Sequence, residues 1–247
     1  MLKVFKMKTS QKIEEKIDKL KVGTTFNYKS LSIEIDEYSA AAKTLERLIK
    51  KGKIKRISSG IFYKPKQTVF GEIMPKEEEI LNVFLFENGK RIAYITGLSL
   101  YNRLGLTTQV PKTIKIACRD KRISASIGNI QGKPVKSYID VTDSNYYLLE
   151  ILDSLKDFKF IPDLDLKSGI EIEKELLRKI EIKELNKLIN YALKYPPRVR
   201  AFLGALIETI SENADLSDLK KSLNPFSQFD YNISSEILPN SLNWNIR

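Results

Sequence analysis

Lys43, Arg47 and Lys50 recur at intervals of four and three residues in the run YSAAAKTLERLIK, with Ser39 and Ala40 ahead of them and Thr44 among them. On a helix the three cations share one side. The chemistry they offer is recognition rather than turnover. A guanidinium can grip the O6 and N7 edge of guanine, an ammonium can hold guanine or a phosphate, and the N-terminal and middle residues of a reading helix are the ones that reach base edges. Ser39, Ala40, Lys43, Thr44 and Arg47 are therefore the candidates for the major groove, Arg47 for a bidentate guanine contact and Lys43 for guanine or phosphate. Just downstream, Lys53, Lys55 and Arg56 with Ser58 and Ser59 suit phosphates or a minor groove. The plainer alternative is that Lys43 and Arg47 pair with nearby acids such as Glu46 or Glu37.

These side chains need a helix followed by a hairpin to hold them. Ala41, Ala42, Leu45, Leu48 and Ile49 fall opposite the cations and form a packing face. Gly52 stands where a left-handed C-cap ends a helix. Residues 53–57 then read as a strand, 58–60 as a turn and 61–63 as the return strand. Upstream, residues 10–20 carry Ile13, Ile17 and Leu20 at helical spacing behind Ser10 as a capping residue. Residues 24–26 suit a short strand, and a second short helix is expected to begin near Tyr28 or Lys29. The alternation of Leu31, Ile33 and Ile35 nevertheless favours a strand there. Helix, short helix, basic helix and hairpin is the order of a winged helix-turn-helix.

Pro65, Gly71 and Pro75 punctuate the chain after this module, and a new helix is expected over 77–86. The expected domains are thus 1–70, a winged helix-turn-helix, and 75–247, a larger domain with a small β-sheet and several helices. The fold class is α+β. In the second domain, strands are expected over 91–95, 113–118, 124–127 and 135–138, with turns at 128–129 and 132–134 and a short helix running to Arg103. Helices are expected over 146–156, 169–180, 182–193, 199–212 and 215–223. The tail from 224 holds Phe226, Phe229, Tyr231, Leu238 and Trp244, too many large apolar groups for a disordered segment, so it is expected to fold back on the body.

Composition narrows the function. The 247 residues contain no histidine and one cysteine, Cys118. Histidine-based acid–base catalysis, Ser-His and Cys-His nucleophile pairs and most zinc sites are thereby removed, and an internal disulfide is excluded. The reading is a non-enzyme with no catalytic residues, no metal and no cofactor. No apolar run is long enough for a membrane span, and the basic N-terminus lacks a signal peptide's apolar core, so a cytoplasmic location is expected. The formal net charge is +11, and residues 1–66 hold 17 Lys and Arg against 7 Asp and Glu. That concentration is the footprint of a nucleic-acid-binding module. A second candidate basic surface comprises Arg91, Arg103, Lys112, Lys115, Arg119, Lys121 and Arg122. It could extend a DNA footprint, bind RNA, meet an acidic protein, or be a solvated sheet edge. Two carboxylate motifs suggest metal-dependent chemistry, Asp163 with Asp165 and Glu181 with Lys183. A surface loop and an exposed helix face account for them better.

The runs LERLIKKGKIKRISSGIFYKP and AYITGLSLYNRLGLTTQVPKTIKIA resemble AbiEi-type antitoxins, the regulatory partners in abortive-infection, type IV toxin–antitoxin systems. In the first run the likeness rests on Leu48, Gly52, Ile54, Arg56, Ile57, Gly60, Phe62, Tyr63 and Pro65. In the second it rests on Gly97 and on the stretch LGLTTQVP, residues 104–111. A third patch, PPRVRAFLGAL at 196–206, is similar to a late helix of that family. The likeness spans roughly residues 10–210, and Thr96 stands where the family pattern has Ser. It implies an antitoxin that binds double-stranded operator DNA and represses its own operon, opposing a nucleotidyltransferase-like toxin. The other readings are a winged-helix regulator unrelated to a toxin and a metal-dependent nuclease with a DNA-targeting domain.

Overall fold

Ile13 and Ile17 stand one turn apart among charged residues, so their helix can bury only a narrow stripe. In the computed structural model, which describes residues 8–69, 71–211 and 214–247, that stripe is buried on α1 (Thr9–Lys19). The helix starts one residue ahead of Ser10, with Lys8 rather than a serine at the N-cap. Chain contacts divide the fold into two compact units: residues up to Ile92 with Ser124–Gly132, and Ala93–Ile123 with Lys133–Arg247.

In the first unit β1 (Thr25–Asn27) leads to α2 (Tyr38–Lys50) through a short 3-10 helix, Ile35–Glu37. Residues 28–33 close a single turn instead of a helix or strand. Asn27 and Ser30 bond reciprocally around that turn (Ser30 N to Asn27 Oδ1, 2.8 Å; Asn27 N to Ser30 Oγ, 2.7 Å), and Ser32 at φ +49° stops it. The alternation of Leu31, Ile33 and Ile35 has no partner strand. Leu31 and Ile33 enter the core, while Ile35 is 83% exposed. α2 packs Ala41, Leu45 and Leu48 inward. Gly52 ends it at φ +69°, with Lys53 N donating to Leu48 O at 3.0 Å. The chain then returns through β2 (Lys55–Ser58) and β3 (Ile61–Tyr63), and the antiparallel sheet runs β1-β3-β2.

A second hairpin, β4 (Lys66–Thr68) and β5 (Gly71–Ile73), precedes α3 (Glu77–Leu81), a 3-10 helix at Asn82–Phe84, and the pair β6 (Phe86–Glu87) and β7 (Lys90–Arg91). The helix expected over 77–86 thus gives way after Leu81. Residues 75–92, placed in the second domain by sequence, pack in the first unit. The Thr25 hydroxyl donates to Glu79 O, and Asn27 Nδ2 donates to Val83 O at 3.5 Å.

The second unit begins with β8 (Ala93–Thr96), α4 (Leu98–Arg103) and β9 (Ile114–Cys118). β10 (Ala125–Ile127) and the first residues of β11 (Ile130–Lys136) belong to the first unit, and the strand order is β10-β11-β9-β8. β11 runs straight through the turn expected at 132–134. Among the described residues five α-helices follow: α5 (Tyr146–Asp157), α6 (Leu166–Arg178), α7 (Ile182–Ala192), α8 (Pro197–Ile210) and α9 (Ser217–Lys221). The last residue of the helix expected over 199–212 lies outside the described residues. Pro197 occupies the first turn of α8, where its missing N–H costs nothing, and every residue from Ala201 to Ile207 is buried. Burial of each large apolar side chain there stabilises by about 1.5–3 kcal/mol. The tail folds back as expected: Tyr231, Leu238 and Trp244 join the core around α8. The class is α+β.

One polar cluster interrupts this core. Asp153 on α5 is 2% exposed. It accepts from Tyr94 (2.9 Å), Thr96 (2.7 Å) and Lys156 (2.7 Å), and Tyr195 stands 3.4 Å away. Burial opposes the Lys156 charge, but Asp153 and Asp157 more than offset this and hold its pKa above the usual value. Burial, then Asp153, pushes the Tyr94 and Tyr195 phenols up, so both remain donors.

Candidate nucleic-acid interface

The solvent side of α2 presents Ser39, Ala40, Lys43, Arg47 and Lys50, all exposed. Thr44 is not among them. It is 6% exposed and its hydroxyl donates to Ala40 O at 2.9 Å, so it belongs to the packing face and cannot reach a base edge. Among the described residues neither Lys43 nor Lys50 forms an ion pair. Arg47 does, donating through Nη2 to Glu14 on α1. The acids weighed from sequence, Glu46 and Glu37, are not its partners. Glu37 instead accepts from Thr9 Oγ1 at 2.8 Å and lies 3.8 Å from Lys12.

The hairpin carries the second group. Lys53 lies 3.8 Å from Asp18, and Lys55 is bonded to Glu72 on β5. The Arg56 guanidinium sits 5.5 Å from the centroid of the Phe62 ring. The β2–β3 register slips between Arg56 and Ser58, so Ile57 bulges; Ser58 is half-buried and Ser59 exposed. Glu72 also accepts from the Tyr63 hydroxyl. Bonds from Lys55, then Tyr63, hold the Glu72 carboxyl below its usual range. Burial, then the same carboxylate, pushes the Tyr63 phenol up to about 12. Glu72 thus stays ionised and fastens the β4–β5 hairpin to the β2–β3 hairpin.

Sequence reasoning passed over these bordering acids. Glu14 and Asp18 lie four apart on α1, on the side facing α2 and its C-terminus, and that i, i+4 spacing was the only signal available. Lys64 was also unforeseen. Its ammonium donates to the carbonyls of Ile17 (3.2 Å), Asp18 (2.9 Å) and Leu20 (2.9 Å), capping the C-terminus of α1.

The second basic segment is divided between the two units. Arg91 belongs to the first unit, its guanidinium 4.5 Å from the Phe86 ring centroid. Arg103 is bonded to Glu150 at 2.7 Å. The stem of Lys115 lies over Gly97, its Cδ 2.7 Å from where a Cβ would stand, and Lys112 is exposed. Arg119, Lys121 and Arg122 do converge, on a cleft with Lys136. Of the carboxylate motifs, Asp165 caps α6 by accepting from Ser168 N (2.8 Å), and Asp163 accepts from Gln109 Nε2 (2.7 Å). Glu181 is the N-cap residue of α7. Among the described residues no group of three or more His, Cys, Asp or Glu could hold a metal, and no helix is long and apolar enough to cross a membrane.

Residues 12–129 match the model of a family of unknown function, DUF6088. That stretch takes in the whole α2 face, the β2–β3 hairpin and the second basic segment. Comparison with curated proteins returned no match. Among solved structures, the crystal structure of the RV2827C protein from Mycobacterium tuberculosis is similar in fold. The TM-score is 0.53 at 10% identity, over 95% of this chain and 88% of that one.

Proposed function

We propose that the chain is a DNA-binding antitoxin and autorepressor whose first unit is a winged helix-turn-helix, with α2 as reading helix and the β2–β3 hairpin as wing. The observation that carries the DNA reading is the exposed Lys43, Arg47 and Lys50 face of α2, running through Gly52 directly into a basic hairpin. In this arrangement the 3-10 helix at Ile35–Glu37 takes the place of the short second helix. Arg47 reads guanine, Lys43 reads guanine or phosphate, and Lys50, Lys53, Lys55, Arg56, Ser58 and Ser59 grip the backbone. Cation release on phosphate binding makes affinity fall steeply with salt. The antitoxin role, opposing a nucleotidyltransferase-like toxin, is supported by the resemblance of residues 45–65 and 93–117 to AbiEi-type antitoxins.

The test is a gel shift on the DNA upstream of the protein's own reading frame, comparing wild type with the double variant Lys43→Ala, Arg47→Ala. Loss of one good base contact costs about 1–3 kcal/mol and relaxes preference at that base. Unchanged affinity and preference would remove α2 as the reading helix. Co-expression with a toxin encoded beside it should restore growth; continued arrest would leave a regulator without antitoxin activity.

A further inference from the structure

We propose that the cleft between the end of β9 and the end of β11 is a second anion site, built to take consecutive phosphate groups. Their source would be a nucleotide polyphosphate chain or the backbone of a nucleic-acid strand. The site lies wholly in the second unit and stands independently of the DNA reading of α2. β9 ends at Cys118 and the chain swings out through residues 119–122, while residues 134–136 of β11 form the opposite wall. Ser137 N donates to Cys118 O at 3.0 Å and closes the cleft at that end. The space is about 500 Å³, within the range of small-ligand sites, and Arg119, Lys121, Arg122 and Lys136 line it against the single acid Asp120.

Three features separate this cleft from a chance cluster of surface cations. Arg119 is held in place: Nη1 donates to the carbonyls of Ser137 (3.3 Å) and Tyr138 (2.8 Å), which orients the guanidinium and leaves Nη2 and Nε for a ligand. Among the described residues Arg119, Arg122 and Lys136 form no ion pair. A second cavity of the unit, about 240 Å³, has its lysines neutralised, Lys156 by Asp153 and Lys159 by Asp230. Finally, the lining contains no aromatic ring. A base would find no stacking platform, so recognition falls on the phosphates, whose oxygens match the guanidinium fork.

The test uses the full chain at low salt, with calorimetric titration of inorganic tripolyphosphate, a short oligothymidylate and a polyglutamate peptide. The double variant Arg122→Ala, Lys136→Ala should bind tripolyphosphate about 10-fold more weakly. The charge-matched double Lys112→Ala, Lys133→Ala, outside the cleft, should bind as wild type, and Lys136→Glu gives a second variant should the first double unfold. Tripolyphosphate binding equal to or tighter than oligothymidylate assigns the site to nucleotide polyphosphates; the reverse order assigns it to a strand. The proposal is overturned by absence of both bindings, by equal losses in the two doubles, or by polyglutamate binding as tightly. The variant Lys43→Ala, Arg47→Ala should keep tripolyphosphate binding even where it loses duplex DNA, and loss of both would overturn the cleft as a separate site.

Discussion

Arg47 on α2 donates to Glu14 on α1, a bond between residues 33 positions apart that ties the candidate reading residue to a carboxylate. Any ligand that Arg47 grips must draw the guanidinium away from Glu14 or accept an acid at its border. Both residues are substantially exposed, with 50% and 33% of their side-chain surfaces accessible, so the pair is weak and exchangeable.

Glu14→Gln should therefore tighten binding to non-specific duplex DNA by at most about fivefold, since exposed pairs contribute no more than ~1 kcal/mol. Fluorescence anisotropy at several salt concentrations checks this. Weaker binding in the variant would show that Glu14 orients Arg47 productively rather than competing for it.

Glu173 on α6 is fully buried, and neither carboxyl oxygen has a hydrogen-bond partner. Burial pushes its pKa up to about 8; the nearby Ser154 hydroxyl lowers it slightly but is itself donated to Ile151 O at 2.8 Å. The folded protein thus keeps a proton that the unfolded chain releases above its ordinary carboxyl range. Stability from this group is complete below about pH 4.5 and declines as pH rises toward 8, by roughly 1.4 kcal/mol per pH unit. Glu173→Gln should gain on wild type across that window and converge with it in acid. Denaturant unfolding at a series of pH values measures the gap; a gap independent of pH would refute the buried, protonated carboxyl.

Asp153→Asn should cost about 3–5 kcal/mol, because it removes the carboxylate bonded to the largely buried Lys156 ammonium and leaves Asp157 alone to offset that charge. Lys156 has 14% of its side chain accessible and cannot turn freely to water. The double variant Asp153→Asn, Lys156→Met should recover much of the loss. Urea unfolding of the two singles and the double closes the cycle, and additive losses would deny the coupling.

Gly204→Ala should loosen the tail. A Cβ there would stand 2.2 Å from Trp244 Cζ3 and 2.3 Å from its Cη2, both ring atoms in a buried indole. Overpacking of this kind costs about 1–3 kcal/mol. Trp244 is the only tryptophan in the chain, so its emission reports the site directly. A red shift with lowered stability is expected; an unchanged spectrum at unchanged stability would show that the tail yields without penalty.

The sequence by itself determined the features that short-range chemistry controls. The span of α2, its end at Gly52 and the return through β3 were legible because helical periodicity, a left-handed glycine and a short hairpin each act within a few residues. The tail's return was legible from its aromatic content alone. Tertiary structure decided the rest. It gave Arg47, Lys53 and Lys55 their partners Glu14, Asp18 and Glu72, and brought Lys136 beside the 119–122 loop. The apolar alternation of Leu31, Ile33 and Ile35 resembles a strand, but strand formation needs a partner edge, and Asn27 and Ser30 close a turn there instead. A charge written in the sequence has a sign and an approximate face. Its availability depends on acids far along the chain, which only the packing of α1, α2 and the two hairpins brings within reach.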